Sequence, residues 1–477
     1  VKRSIGCDRL WAQRLRHASP AATAEYLSDG RWRRARHLEH LDGILRDALA
    51  DGGARIIIEW PPGHGKSRYL SVWTPVWFLN AWPARNVILA SNTATLAQRW
   101  GREVRNVLES EQDRLEVRLA EDSQARGDWS TTAGGGMLTK GIGGTIMGFR
   151  PHLMVIDDPH EGQAEANSET KRLGVWDWWQ GQARSRLEPG ASVIVLHQRL
   201  HEEDLIGRLT AEPDHPWRVI TLRAIAEDDD PLGREPGEAL WPERFPVEAL
   251  EELRRDMGSR AFEAQYQQRP APAGGAVFRR SWFQYYRSGV CSAQGEAYFE
   301  LIAPDGQVRR VFHRDCRWFQ TVDTALKPGM ANDWTVVGTF ALTPKRELVV
   351  VDVWREKLAV PDQLPFILRA RRAYQARVQW TGVEDRGSGT GILQAARIEG
   401  VHLRPLDPGT KSKEERATPA AVLAENGSLW FPEEAPWLGA FEAELLTFPS
   451  GRHDDQVDVL SYAAHQATRR APRIVYA

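Results

Sequence analysis

Short runs of aliphatic and β-branched residues recur through the first half of the chain, and each is followed by a stretch whose apolar positions keep helical spacing. ARIIIEW, NVILAS, LMVIDD and SVIVLH are such runs. Buried strands alternating with helices argue for an α/β fold with a mainly parallel sheet and crossover helices. The pattern stops near residue 225. AEDDDPLGREPGEALWPERFP (226–246) breaks both periods and reads as linker or irregular subdomain. A helix-like piece follows, EALEELRRDMGSRAFEAQYQQ, and RPAPAGG (269–275) marks the expected domain boundary. The chain is therefore divided into 1–225, 226–275 and 276–477.

The last part opens near Val277 and has a different order. It reads strand (WFQTVDTAL), strand (WTVVGTFAL), strand (ELVVVDVWREK), helix (362–376), strand (VQWTGVED), helix (GILQAARIEG) and strand (VHLRPLD). Three closely connected strands followed by αβ alternation suit a mixed sheet of the RNase H type. Composition narrows the class without changing this picture. Of 477 residues, 42% are apolar and 26% charged, which excludes a disordered tail, a collagen and a coiled-coil rod. Lys+Arg 62 against Asp+Glu 64 leaves a net charge of -2, so nucleic-acid binding must come from local patches. No apolar run approaches the roughly 18 residues a membrane helix needs. The start, VKRSIGCDRLWAQRLR, lacks a hydrophobic signal core and reads as the helical beginning of an intracellular chain. Cys7, Cys291 and Cys316 are too far apart for a disulfide framework or a thiolate zinc site. The 20 tryptophans are expected in cores and interfaces.

IIIEWPPGHGKSRYL (56–70) carries the clearest chemistry of the first half. Gly63, His64 and Gly65 form a turn between a strand and a helix, where backbone amides and the helix start favour phosphate. Lys66 would reach the β- and γ-phosphates of ATP, and Ser67 would hold Mg2+. Trp60 stands where the usual motif has its first glycine. HLMVIDDPHE (152–161) supplies the partner strand, with Asp157 as the magnesium-side acid. Asp158 falls where many ATPases carry the glutamate that polarises water, and Glu161 is a second candidate for that role. His197, Gln198 and Arg199 read either as γ-phosphate sensors or as a solvated loop. Arg99, Arg102 and Arg105, at i, i+3 and i+6, read as an exposed basic face or as the source of an arginine finger.

In the last part, acids recur at strand ends. Asp323 closes an otherwise apolar strand, where burying a lone carboxylate is costly. Glu384 and Asp385 close another, before a glycine-rich turn. GRHDDQVDVLSYAAHQA places Asp454 with Asp458, and Asp455 with Asp458, on one helix face. Three such clusters on one sheet edge suit two divalent ions about 4 Å apart. Oxygen ligands favour Mg2+ or Mn2+ over zinc. His453 is open between a metal-side ligand and a helix-start residue. LDPGTKSKEERATP (406–419), with Lys411, Lys413 and Arg416, is either a patch for DNA phosphates or a solvated loop.

The motifs PPGHGKS, VIDDPHE, VIVLHQRLHEEDLIGRL, FEAQYQQRPAPAGGAVF, TVDTALKPG, GVEDRGSGTG and HDDQVDVLSYA, in that order, resemble the large terminase subunit of tailed bacteriophages. The resemblance implies an amino-terminal P-loop packaging ATPase and a carboxyl-terminal RNase H-like endonuclease. By it, Lys66 and Ser67 match the phosphate-loop pair, Asp157 the metal-side acid, and Asp323 and Glu384 the first two nuclease ligands. The last ligand falls among Asp454, Asp455 and Asp458, with Asp455 and Asp458 favoured. Two departures stand out: Asp158 replaces the catalytic glutamate, and the coupling stretch reads Gln198-Arg199-Leu200-His201 without its threonine. The implied partners are double-stranded DNA, the portal protein and prohead, and the small terminase subunit. A ring on the portal, a monomer in isolation, and a place in the host cytoplasm outside the mature virion complete the expectation. A helicase–nuclease of repair or defence, or a decayed prophage DNA-binding protein, are the alternatives.

Overall fold

The computed structural model describes residues 18–468 apart from 122–126, 212, 272–274, 292–294, 304–305, 325–333, 410 and 452. The expected amino-terminal helix and Cys7 lie outside the described residues. The chain divides into two compact units, Val1–Arg254 with Ser259–Ala273, and Arg255–Gly258 with Gly274–Ala477.

The first unit is built on a seven-stranded sheet in the order β3-β4-β2-β5-β6-β1-β7. Its strands are β1 (Arg55–Glu59), β2 (Asn86–Ser91), β3 (Asp128–Ser130), β4 (Gly136–Gly141), β5 (Leu153–Asp157), β6 (Ser192–His197) and β7 (Arg218–Thr221). All neighbours are parallel except β3 with β4. Three consecutive isoleucines make β1 apolar on both faces, as a central parallel strand requires. Ile56 and Ile58 pack with Leu41, Leu45 and Tyr69 on one side, while Ile57 joins Trp178, Trp179 and Val193 on the other. Strand β6 lies between β1 and β5, with Glu59 beside His197 and Asp157 beside Leu196. Residues 226–246 hold almost no regular structure, as their Pro and Gly content leads one to expect. They are nevertheless tied into this unit, through Arg234 donating to Arg223 O at 2.9 Å, Arg36 donating to Leu232 O at 2.6 Å and the Leu240 amide donating to Ala224 O at 2.8 Å.

The second unit carries a nine-stranded mixed sheet, β10-β9-β8-β16-β13-β12-β11-β14-β15. Its strands are β8 (Gln284–Cys291), β9 (Glu296–Ile302), β10 (Val308–Phe312), β11 (Arg317–Asp323), β12 (Thr335–Leu342), β13 (Leu348–Glu356), β14 (Val378–Glu384), β15 (Arg404–Leu406) and β16 (Leu429–Pro432). Strands β11, β12 and β13 form an antiparallel meander, and β14 adds to β11 in parallel. Helices Val360–Ala373 and Ser388–Ile398 cover one face over Val322 and Val337. Helices Lys413–Glu425, Leu438–Thr447 and Asp455–Thr468 cover the other over Phe319 and Phe340. Alternation along β11 thus turns Val322 to the first face and Asp323 to the second.

Candidate functional site

Strand β1 ends at Glu59, and the chain turns through Trp60–Gly65 before becoming helical at Lys66. Gly63 and Gly65 hold φ of 78° and 84°, a region glycine enters without strain. Gly63 is doubly constrained, since a Cβ there would stand 2.8 Å from Phe245 Cζ. Trp60 fits in place of a glycine because its indole is buried in the core and meets His37 edge-on, with ring centroids 5.3 Å apart. His64 is buried too. Its Nδ1 donates to Pro62 O at 2.9 Å, its ring stacks on Phe245, and its carbonyl accepts from His37 Nε2 at 2.9 Å. Burial pushes His64 down to about 3 and His37 down to about 4, so both are neutral struts behind the loop. For a ligand, His64 therefore offers its backbone and not its ring.

A π-helical turn, Arg68–Trp73, continues the loop. Ser67 Oγ donates to Asp157 Oδ1 at 3.0 Å, and Ser71 Oγ donates to Asp157 Oδ2 at 2.7 Å. The sequence reading missed Ser71, although a serine four residues after Ser67 in an apolar run was a usable signal. Asp158 adopts φ of 47° and turns back under the loop. Its Oδ1 accepts from His197 Nδ1 at 3.1 Å and lies 3.9 Å from Lys66 Nζ. Burial and the charge of Asp158 push Asp157 up. Burial would raise Asp158 as well, but Lys66 and His197 outweigh it and hold that carboxyl down. The two carboxylates therefore share their charge unequally, and the proton is favoured on Asp157. Glu161 lies exposed, its backbone amide held by Glu165.

The loop after β6 is not a solvated one. His197 is fully buried, Gln198 accepts from Lys66 Nζ at 2.7 Å, and Arg199 is locked inside. Arg199 Nε sits 3.0 Å from Asp204 Oδ2, and an Nη 3.1 Å from Glu59 Oε1. Glu59 also accepts from Thr221 Oγ1 at 2.6 Å, and Gln268 Oε1 takes the Arg199 amide at 3.0 Å. Of the three sensor candidates, Gln198 alone touches the loop lysine, while Arg199 ties together β1, β7 and the segment around Gln268. On the helix Ala94–Ser110, Arg99 and Arg102 are exposed, and Glu103 approaches both Arg68 and Arg99. A hydroxyl and a carboxylate at the head of the helix are hard oxygen donors and suit a magnesium ion held with nucleotide.

In the second unit, Asp323 ends β11 and Glu384 ends the parallel strand β14. Helix Ser388–Ile398 starts so close to β14 that a Cβ on Gly389 would stand 1.9 Å from Glu384 O. The hydroxyls of Thr324 and Ser388 meet at 2.9 Å and join the two strand ends. The last helix is fixed to β11 by Thr321 Oγ1 donating to Val459 O at 2.7 Å. Asp458 on that helix is 5% exposed. Burial, then Asp458, Glu384 and Asp455, push Asp323 well above the usual carboxylate range, so the four acids lie within each other's fields. The Tyr462 phenol lies beside Glu384, and burial and that carboxylate push it up from the ordinary phenol range. Asp385 is exposed and holds Thr390 Oγ1 at 2.8 Å. His453 precedes the helix at intermediate exposure.

Arg416, expected in a phosphate patch or a solvated loop, is in neither: it is buried against Asp458 Oδ1 at 2.7 Å. Lys413 donates to Asp454 Oδ1 at 2.6 Å and lies 3.3 Å from Asp458 Oδ2. Lys411 is exposed, and the Lys413 side chain stays half exposed while it holds these two acids. The oxygen-only donor set fits hard divalent ions. In the present arrangement, no three His, Cys, Asp or Glu side chains among the described residues are gathered closely enough to hold one.

Residues 57–285 match the family model described as "Terminase large subunit, T4likevirus-type, N-terminal", and residues 320–467 match "Terminase RNaseH-like domain". No curated protein matches the chain. Among solved structures, the large terminase of a thermophilic bacteriophage is 13% identical with TM-score 0.47, over 90% of this chain and 98% of that one. The HK97 bacteriophage large terminase is 11% identical with TM-score 0.35, over 89% and 95%. The magnesium-bound large terminase nuclease from thermophilic phage G20c is 20% identical with TM-score 0.28, over 41% and 99%. No helix among the described residues is long and apolar enough to cross a membrane.

Proposed function

Because this chain belongs to the large terminase subunits, with an RNase H-like domain after the T4-like amino-terminal part, we propose that it packages double-stranded DNA by ATP hydrolysis and cuts that DNA with a separate nuclease site. The observation that carries the motor half is Asp157 held by both Ser67 and Ser71, beside an Asp158 that faces Lys66. A phosphate chain laid across Gly63–Ser67 would meet the amides of the first helical turn, which have no intrahelical acceptor. Lys66 would leave Gln198 for the β- and γ-phosphates, and Asp158, kept ionised, would orient the attacking water. Magnesium at Ser67 and Asp157 would supply charge neutralisation for the leaving phosphate.

In the nuclease half, Asp323, Glu384, Asp455 and Asp458 would hold the ions, with Asp454 at the rim. Two bound ions, magnesium or manganese, would supply an activated water and a stabilised 3′ leaving oxygen. We place the division between the halves near residue 275. Portal, prohead and small terminase subunit follow as partners from the family reading, with the chain acting in the host cytoplasm as a ring on the portal. The test uses the full chain, measuring DNA-stimulated ATP turnover and metal-dependent plasmid cleavage side by side. K66A should lose turnover and keep cleavage; D323A should do the reverse. Undiminished turnover in K66A would overturn the motor assignment, and undiminished cleavage in D323A the nuclease assignment.

A further inference from the structure

Lys413 opens a helix whose first turn is fixed by a reciprocal cap. Ser412 Oγ accepts from the Glu415 amide at 3.2 Å, and Glu415 Oε2 accepts from the Ser412 amide at 3.0 Å. The cap sets the Lys413 stem over the start of helix Asp455–Thr468, where its ammonium bridges Asp454 and Asp458. Arg416, one turn on, takes the other oxygen of Asp458.

The two cations are unequal. The Arg416 and Asp458 side chains are 10% and 7% exposed, a pair closed inside the protein. The Lys413 side chain is 51% exposed, so it can swing away on its flexible stem without opening the core. An ammonium and a divalent ion seek the same carboxylate oxygens. Lys413 thus occupies one oxygen of Asp454 and one of Asp458, oxygens that a divalent ion bound at the last helix would also need.

We infer that Lys413 is a built-in counter-ion that competes with a divalent metal for Asp454 and Asp458, and that a DNA phosphate entering the site draws it off. The inference rests on the two-metal nuclease reading. Lys413 is thus a positioning residue, which couples loading of the ion nearest the last helix to arrival of the substrate. Linkage makes the coupling reciprocal, so DNA must raise metal affinity by the factor by which metal raises DNA affinity.

The test is Mn2+ binding to the full chain without nucleotide, by calorimetry and by counting bound ions with electron paramagnetic resonance. D323A serves as the blank for ions bound elsewhere. K413A and K413Q should bind Mn2+ about tenfold more tightly than wild type, and K413R should stay near wild type. A non-cleavable DNA duplex should raise wild-type affinity towards that of K413A and add little in K413A itself. Equal or weaker Mn2+ binding in both K413A and K413Q would overturn the inference while leaving the nuclease reading intact. Binding that is the same in wild type, the Lys413 variants and D323A would overturn the nuclease reading itself.

Discussion

The ammonium of Lys66 rests on Gln198 Oε1 at 2.7 Å, so the loop that follows β6 holds the residue proposed to grip a phosphate. A neutral amide is a weak enough partner to be exchanged for a phosphate; a carboxylate is not. Q198E should therefore raise the KM for ATP about tenfold, the effect of one strengthened charge-assisted bond. Q198A should leave KM nearly unchanged and lower kcat. Steady-state ATPase kinetics on the two variants check both.

Gly63 meets two demands at once, a φ of 78° and the Phe245 ring 2.8 Å from any Cβ. G63A should cost about 1–2 kcal/mol for the left-handed backbone and a further ~1–3 kcal/mol for overpacking. Adding F245A should recover the overpacking share and leave the backbone share. Urea denaturation of the single and double variants separates the two.

Arg199, open in sequence between a phosphate sensor and a solvated loop, is a largely buried tie in the structure. Glu59 and Asp204, its partners, have side chains 8% and 0% exposed. R199A strands both carboxylates and should destabilise the chain by about 3–5 kcal/mol. R199K should recover only part, because an ammonium cannot span both acids as the guanidinium fork does. The urea midpoint of each variant is the readout.

His37, His64 and His160 are buried, with folded values of about 4, 3 and 4 against an ordinary 6.5. A folded value below the unfolded one means that protonation favours the unfolded chain. Their contribution is whole above pH 6.5 and is lost as pH falls towards 4, by about 1.4 kcal/mol per histidine per pH unit. Thermal midpoints measured between about pH 7.5 and 4.5 should fall in that window. H160F, which keeps an apolar ring of similar shape, should soften the slope.

Much of this was legible in the residues. NVILAS and SVIVLH coincide with β2 and β6, and WTVVGTFAL overlaps β12, because strands buried on both faces are written as unbroken apolar runs. Strands β8, β9 and β10 were not seen. QYYRSGVC alternates poorly, and the three strands are half exposed and laced with pairs such as Arg310 of β10 on Glu300 of β9. The expected long helix after residue 247 is two, Val247–Met257 and Ser259–Gln265, parted by Gly258 at φ of 81°. Acids at strand ends announced themselves through the cost of burying them. Their cationic partners did not, since nothing local in KSKEERATP says that Arg416 reaches Asp458 on another helix. Likewise, the π-helical turn Arg68–Trp73 has no period of its own in the sequence, and Ser71 was marked only by its spacing of four from Ser67.

The pairing of Thr321 with Val459 fixes β11 to a helix encoded far downstream. During synthesis, the ribosome delivers the phosphate loop and its acids first, the strand carrying Asp323 next, and Asp455 and Asp458 only afterwards. A nascent chain still lacking that helix holds Asp323 and Glu384 on a sheet whose second face misses one of its three covering helices, without Asp455 and Asp458. On the proposed function, a chain that ends before this helix would carry the motor residues Lys66 and Asp157 while lacking Asp455 and Asp458, and so would have no complete set of acids for cutting.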